Sequence, residues 1–387
     1  MKTKSILSFL GLIVVAQTLL GIRVILRLLR SAGGEPISPE EALPTGEERV
    51  SVIVPVLNEY DRLSSCLDGL IAQGAEVSEI VLVDGGSEDG TQQLVDTYTA
   101  RDPRVRLVDA SPIPSNWNGK AWGLQVGLRS AAPGSRWILT VDADVRPGAL
   151  MTRALLGRAK RAALAALSIA TQQEIGGIGE GLVHPSLLAT LVYRFGIPGK
   201  TFTRTEEVQA NGQCFLFRRD ALEACGGFLE ARTSVCEDVT IARTLLARGY
   251  STGFYEAGGL VSVKMYADWC EVWRNWPRSL PMRDQYSSIN ALLGWLEVAL
   301  VQALPLPLFL SLMITHTRRG GLMVLNGVLA AMRIGVLFGT ARAYRQRPWS
   351  YWLSPLCDVP VAIQLARSAL RRRHIWRGRI LVRGETL

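Results

Sequence analysis

The sequence predicts an α/β fold, a mostly parallel sheet wrapped by helices, held between apolar helices at both ends of the chain. Three observations predict it. Between residues 50 and 260, short apolar, β-branched runs alternate with helix-length segments, the pattern of strands joined by right-handed helical crossovers. Two of these runs end abruptly in acids, one at Asp84 and one at the pair Asp142 and Asp144. Open α/β sheets bind ligands at such C-terminal strand edges. Finally, 48% of the 387 residues are hydrophobic, and they bunch outside this region, where a wholly soluble chain would not place them.

Charge and cysteine usage narrow the classes. The formal net charge is +9, which would suit a nucleic-acid binder. The arginines, however, flank apolar stretches (Arg23, Arg27, Arg30; Arg318, Arg319; Arg342, Arg345, Arg347; Arg371, Arg372, Arg373). That placement suits an anionic membrane surface and argues against nucleic acid as partner. The six cysteines are scattered without a Cys-x-x-Cys pair, so they read as reduced cytosolic thiols rather than as a disulfide framework or a zinc site.

Residues 1–30 read as an uncleaved membrane helix, apolar from 6 to 29 with Arg23 and Arg27 embedded. The flank after it is more basic than Lys2 and Lys4, so the following domain is expected to face the cytosol. Residues 31–49 lack periodicity and read as a linker. The α/β domain is expected over 50–260. Strands are predicted at 50–55, 79–83, 105–109, 137–141, 164–171 and 211–219, with helices at 61–73, 91–100, 121–130, 147–161, 182–195 and 239–248. The glycine-rich stretch 172–181 reads as a mobile loop.

Asp142 and Asp144 are spaced i, i+2, which on a continuing strand directs both carboxylates to one face. Two convergent carboxylates with room for substrate phosphates suit Mg2+ or Mn2+. An acidic turn closing a strand is the bland reading. Lys120 stands where a helix opens and could reach a phosphate; a solvated lysine is the alternative. Glu237 and Asp238 open another helix, where acids are ordinary caps.

Four segments in order, Val52-Ile53-Val54-Pro55-Val56-Leu57-Asn58-Glu59, Val83-Asp84-Gly85-Gly86-Ser87-Glu88-Asp89-Gly90-Thr91, Asn118-Gly119-Lys120-Ala121 and Val141-Asp142-Ala143-Asp144, resemble the successive motifs of family 2 glycosyltransferases. The resemblance implies the GT-A fold, which is Rossmann-like, together with a nucleotide-sugar donor, a divalent metal and inversion at the anomeric carbon. It implies donor contacts from Pro55, Asn58, Glu59, Asp84, Lys120 and Asp142, metal ligation by Asp144 and Asp142, and a general base at Asp238, with Glu237 beside it toward acceptor or diphosphate. The second motif often carries two aspartates, and here the second is Gly85, which leaves Asp84 to contact the nucleoside.

Beyond the domain, residues 261–290 interleave aromatics with arginines and read as an interfacial amphipathic segment. Many membrane-bound relatives carry Gln-x-x-Arg-Trp here; this chain does not, and Arg278 is the nearest stand-in. Residues 291–387 hold apolar stretches at 291–314 and 322–340, each long enough to span, and a third at 349–366 interrupted by Pro355, Asp358 and Pro360. A break in the third keeps the basic tail on the cytosolic side. Glu297, Arg333 and Asp358 are expected to pair within a bundle or to line an acceptor tunnel. The ending, His374-Ile375-Trp376-Arg377, resembles carotenoid, hopanoid and ceramide-type glycosyltransferases, with Arg377 a candidate diphosphate or interface contact.

The expectation is thus an integral membrane enzyme moving one sugar onto an apolar, membrane-dissolved acceptor, most closely a carotenoid. A polyprenyl phosphate acceptor is the alternative within the class, and a non-catalytic membrane scaffold on a degenerate transferase fold the alternative outside it.

Overall fold

The computed structural model describes residues 2–44, 48–280, 288–315, 320–371, 373–376 and 379–382. The chain divides into two compact units: Gly34–Glu174 with Pro198–Met265 and Arg372–Leu387, and Met1–Gly33 with Ile175–Ile197 and Tyr266–Arg371.

The first unit is the α/β domain. Its strands are β1 (Val50–Val56), β2 (Val77–Asp84), β3 (Val105–Asp109), β4 (Trp137–Val141), β5 (Val145–Pro147), β6 (Ala166–Ala170), β7 (Gln172–Glu174), β8 (Lys200–Thr201), β9 (Cys214–Arg218), β10 (Thr252–Glu256) and β11 (Val261–Val263). Eight of them form one sheet in the order β3-β2-β1-β4-β9-β6-β10-β8. The pairs β3–β2, β2–β1, β1–β4 and β6–β10 are parallel; β9 runs antiparallel between β4 and β6. The sheet is covered on both faces, as parallel strands require. Val52, Val54, Leu82 and Leu139 enter one core, while Ile53, Val81, Val83 and Ile138 enter the other. A Cβ on Gly127 would lie 2.3 Å from Ile53 Cγ2, so glycine there lets the helix Gly119–Ser130 rest directly on β1.

Several elements differ from expectation. The helix expected from 147 starts at Met151, because residues 145–147 pair with β11. Strands β10 and β11 went unpredicted; β11 also pairs with β7, at the start of the expected glycine-rich loop. Residues 211–213 precede β9 as a loop instead of opening the strand. The expected linker is built into the domain as far as it is described beyond residue 33. Ile37 is fully buried and its N–H donates to Glu256 O at 2.9 Å. Glu41 pairs with the Arg158 guanidinium, 2.7 Å from Nε. One apolar side chain and one buried ion pair thus fasten a stretch whose composition reads as loop.

The second unit is helical. The helix Lys2–Ser31 packs with Ile178–Phe195, a segment that groups here and not with the sheet. Among the described residues, three segments are long and apolar enough to cross a membrane: Gly11–Ser31, Ile289–Ile314 and Gly320–Ala343. The second carries a π-helical turn, Val298–Ala303, just before Pro305. The third C-terminal apolar stretch is broken into a 3-10 segment, Trp349–Cys357, and a 13-residue helix, Asp358–Leu370, shorter than the roughly 20 residues a straight span needs. The charged residues singled out in these apolar stretches are paired. Arg333 Nε lies 2.7 Å from Asp358, whereas Glu297 is held by Arg23 at 2.9 Å and Arg27 at 2.8 Å. His184 is buried, its ring 4.1 Å from the Trp276 ring and its Nδ1 2.9 Å from the Tyr344 hydroxyl.

Candidate active site

The site forms at the C-terminal ends of β1, β4 and β9's neighbouring loop. β4 stops at Val141, one residue before the acidic pair. The Asp142 N–H makes a last bond across to Gln213 O at 3.0 Å, and the Val145 N–H then folds back to Asp142 O at 3.2 Å. Asp142 and Asp144 therefore sit on a turn between β4 and β5, and not on a continuing strand. The strand-face argument is corrected to that extent.

Lys120 is the hub. It lies in the first turn of the helix Gly119–Ser130. The preceding Asn118 is anchored through its N–H to Arg232 O at 2.6 Å and through its side-chain amide to Ser234 O. From there the Lys120 ammonium reaches Asp142, 2.8 Å from Oδ1 and 2.9 Å from Oδ2, and Glu237 Oε1 at 2.7 Å. Burial works against this charge, but Asp142, Glu237 and Asp238 more than offset it and hold the Lys120 pKa well above the usual lysine value.

Asp238 stands beside them at the start of the helix Glu237–Ala247. Its oxygens accept the N–H groups of Val239 and Gly212, both at 2.8 Å. Burial first, and then the neighbouring Glu237 charge, push its carboxyl up to about 7, with Lys120 and the two N–H groups pulling the other way. A carboxyl poised near neutrality suits a general base. Gly212 is the residue that sequence reasoning missed. A Cβ there would lie 3.0 Å from Lys120 Nζ, 3.1 Å from Glu237 Oε1 and 3.3 Å from Asp238 Cβ. The Asn211-Gly212 dipeptide, an ordinary turn signal, was the clue to a loop at this point.

Asp144 fits a cation ligand. Its Oδ1 is buried with no hydrogen-bond partner. Burial, then the charges of Asp142 and Glu59, push its carboxyl up to about 7, while Lys120 and Arg62 act in the opposite sense. Such an orphaned, charge-crowded oxygen is what a bound cation would satisfy. Among the described residues, no three His, Cys, Asp or Glu side chains gather at metal-binding distance. The protein thus offers the Asp142/Asp144 pair, leaving a hard divalent ion's other positions to water and phosphate oxygens.

The residues expected to contact a donor brace two loops together. Asn58, at φ 55°, accepts the Glu88 N–H and offers its own N–H to Ser87 Oγ, both at 2.9 Å. The Glu59 N–H donates to Thr91 Oγ1 at 2.9 Å and the Tyr60 N–H to Asp89 at 3.0 Å. Pro55 lies in β1 opposite Val83. Asp84 is almost wholly buried: it accepts the Ser87 hydroxyl at 2.5 Å and the Gln92 amide at 2.6 Å. It orders its own loop, and a base edge reaching it would have to displace Gln92. Arg278 falls in the helix Trp269–Ser279, with its side chain outside the described residues, and Arg377 lies outside them altogether.

Residues 51–226 match the family model "Glycosyl transferase family 2". Over those residues the chain is similar to family 2 glycosyltransferases. Glycosyltransferase GlyG of Streptococcus pneumoniae is 34% identical over 97 residues, 25% of this chain and 30% of GlyG. Dolichyl-phosphate beta-glucosyltransferase ALG5C of Trichomonas vaginalis is 31% identical over 121 residues, 28% of this chain and 34% of that protein. The matches thus span about a third of these relatives' length. Among solved structures, the mannosyltransferase PcManGT of Pyrobaculum calidifontis, in complex with GDP-Man and Mn2+, aligns with TM-score 0.52 at 18% identity, over 92% of this chain and 98% of PcManGT. That likeness bears out the mixed α/β fold with apolar helices.

Proposed function

We propose that the chain transfers one sugar, with inversion, from a nucleotide-sugar donor to a hydroxyl of an apolar acceptor dissolved in the membrane. The observation that carries this reading is the joining of Asp142, Lys120, Glu237 and Asp238 around Gly212. That joining supports the reading because it keeps a cation suited to a phosphate and a carboxylate near neutrality beside the same glycine.

Asp238 takes the proton from the acceptor hydroxyl as that oxygen bonds to the anomeric carbon and the bond to the diphosphate breaks. Lys120 presents its ammonium to the departing diphosphate. Asp142 and Asp144 would hold Mn2+ or Mg2+, which supplies neutralising charge for the leaving group. The braced loops at Asn58–Glu59 and Ser87–Thr91 face the nucleoside side, with Asp84 offering its carboxylate if Gln92 gives way. Arg278 and Arg377 are assigned to acceptor or diphosphate contact. Three apolar helices support a bilayer-dissolved acceptor and an integral membrane protein. The basic flank after the first helix supports a cytosolic domain.

A carotenoid is the acceptor this reading favours, with ceramide and hopanoid next, on the resemblance of the C-terminal ending. The test is pigment and lipid profiling of cells with and without the gene. Loss of a glycosylated carotenoid is the expected result, and an unchanged pigment profile overturns that acceptor. A second reading, transfer to a polyprenyl phosphate, is favoured by two relatives named dolichyl-phosphate beta-glucosyltransferases, ALG5C and one from Dictyostelium discoideum that is 34% identical over 119 residues. Such an acceptor is already ionised and needs no base, so an active Asp238→Asn variant would select it.

A further inference from the structure

We propose that Lys120 is an internal cation that holds Asp142 until a donor arrives, and that Glu237 is the pivot on which it then turns. The inference rests on the glycosyl-transfer reading above and concerns the order in which the site fills.

The Lys120 ammonium has three protons to give, and it meets two carboxylates: both oxygens of Asp142, at 2.8 and 2.9 Å, and Glu237 Oε1, at 2.7 Å. An ammonium straddling both Asp142 oxygens takes one lone pair on each and sets a positive charge against the carboxylate that a divalent ion would share. At such separations two cations repel strongly in a half-buried site, so Asp142 serves one or the other. The two anchors of Lys120 differ. Glu237 is buried on the first turn of a helix, whereas Asp142 is on a turn at the strand edge. Gly212 puts no side chain beside Nζ, and lysine's four-carbon stem swings readily about a fixed partner. A donor diphosphate gives the ammonium a new anion to meet. Lys120 then keeps Glu237, exchanges Asp142 for a phosphate oxygen, and cedes Asp142 to the incoming cation. Cation and donor therefore bind cooperatively, each weakly alone.

The test is Mn2+ binding to the full chain in detergent, read by the electron paramagnetic resonance signal of free Mn2+, with and without UDP or GDP. Wild type is expected to bind Mn2+ weakly alone and at least tenfold more tightly with the nucleotide it accepts. Lys120→Met should bind Mn2+ alone at least tenfold more tightly than wild type and lose most of the nucleotide effect. Lys120→Arg, which keeps the charge, should stay as weak as wild type without nucleotide. Lys120→Gln repeats the neutral test if the methionine variant does not fold. A neutral variant that binds Mn2+ alone no better than wild type overturns the pivot, provided wild type binds Mn2+ with nucleotide. Wild type that takes up no Mn2+ with either nucleotide sinks the glycosyl-transfer reading itself, and the pivot with it.

Discussion

Replacing Asp238 by asparagine tests the chemistry most directly, and the structure sets what to expect. A positioned general base contributes about 10²–10⁴-fold in rate, or ~3–5 kcal/mol at 1.36 kcal/mol per decade. Asparagine keeps the shape but not the charge. The two carboxylate oxygens accept the Gly212 and Val239 N–H groups, each at 2.8 Å, and an amide has one oxygen for the two. One backbone N–H then faces an NH2 group, a mismatch costing ~1–3 kcal/mol. The variant should therefore lose about two to four decades in kcat and also melt earlier. Alanine at the same position separates the effects, since it removes the base without pointing a donor at a donor. Equal rate losses in the two variants, despite unequal melting, mark the base. Wild type carries a second signature. Asp238 must be ionised to accept a proton, and burial with the Glu237 charge raises its carboxyl to about 7. Acidification below that value fills the base, so kcat falls toward tenfold per pH unit on the acid side. Neutralising Glu237 removes a raising charge and should move this limb to lower pH. The measurement is sugar transfer against pH in detergent or vesicles. An Asp238→Asn enzyme within tenfold of wild type on a hydroxyl acceptor, or a flat acid limb, would refute the assignment.

Three further outcomes are expected. Gly212→Ala pushes a methyl to within 3.0–3.3 Å of Lys120, Glu237 and Asp238, and displacements of a few tenths of an ångström should cost about tenfold in kcat. Gly134→Ala, with nothing within 4 Å, serves as the neutral control in the same assay. Glu41→Gln strands a buried Arg158 and should cost ~3–5 kcal/mol in denaturant unfolding. Burial works against the Glu41 charge, but Arg158 and the Ser38 N–H hold its pKa below the usual value. Its contribution is thus complete above the unfolded carboxyl's pKa and lost as pH falls through the lower folded value, so the variant should show a flatter acid limb of stability. Glu297→Gln leaves Arg23 and Arg27 without their shared carboxylate, and a lowered melting temperature in detergent, with no change in Mn2+ affinity, is the expected result.

Much of the domain was legible because buried parallel strands leave a one-dimensional trace. The runs at β1, β2 and β4 are apolar at nearly every position, since Val52 and Ile53, or Leu139 and Ile138, enter opposite cores. The edges were harder. β5, β7 and β11 are three residues each, too short for alternation to register, and they are specified by one another across long sequence separations. Residues 34–44 misled for a related reason: Ile37 and Glu41 are tied to Glu256 and Arg158, contacts no local window contains. In the site, the acids were visible at a strand end and a helix start, and the family resemblance suggested their use. Their connection was not legible. That Lys120 would join Asp142 to Glu237 depends on the Asn118 anchor and on the glycine at 212, whose importance is the side chain it lacks.

The charge balance of the site explains why these parts belong together. Beyond burial, Asp142 and Glu59 raise the Asp144 carboxyl and Glu237 raises the Asp238 carboxyl, while Lys120 acts against both shifts and Arg62 against the first. Burying acids beside one another is costly, and the cost surfaces as the raised Asp144 and Asp238 carboxyls and as the orphaned Asp144 oxygen. A nucleotide diphosphate adds more negative charge to the same place, so donor binding without a further cation would be repelled. Released from Asp142, Lys120 can neutralise one phosphate charge but not the acids it leaves behind. Burial, and then the Glu237 charge, keep Asp238 near neutrality instead of at an ordinary aspartate's acidity. Lys120 is the cation that acts on both Asp144 and Asp238, so a cation site at Asp142 and Asp144 and a base at Asp238 are linked through it. Removing that cation with Lys120→Met should therefore shift the acid limb of the pH profile to higher pH as it tightens cation binding.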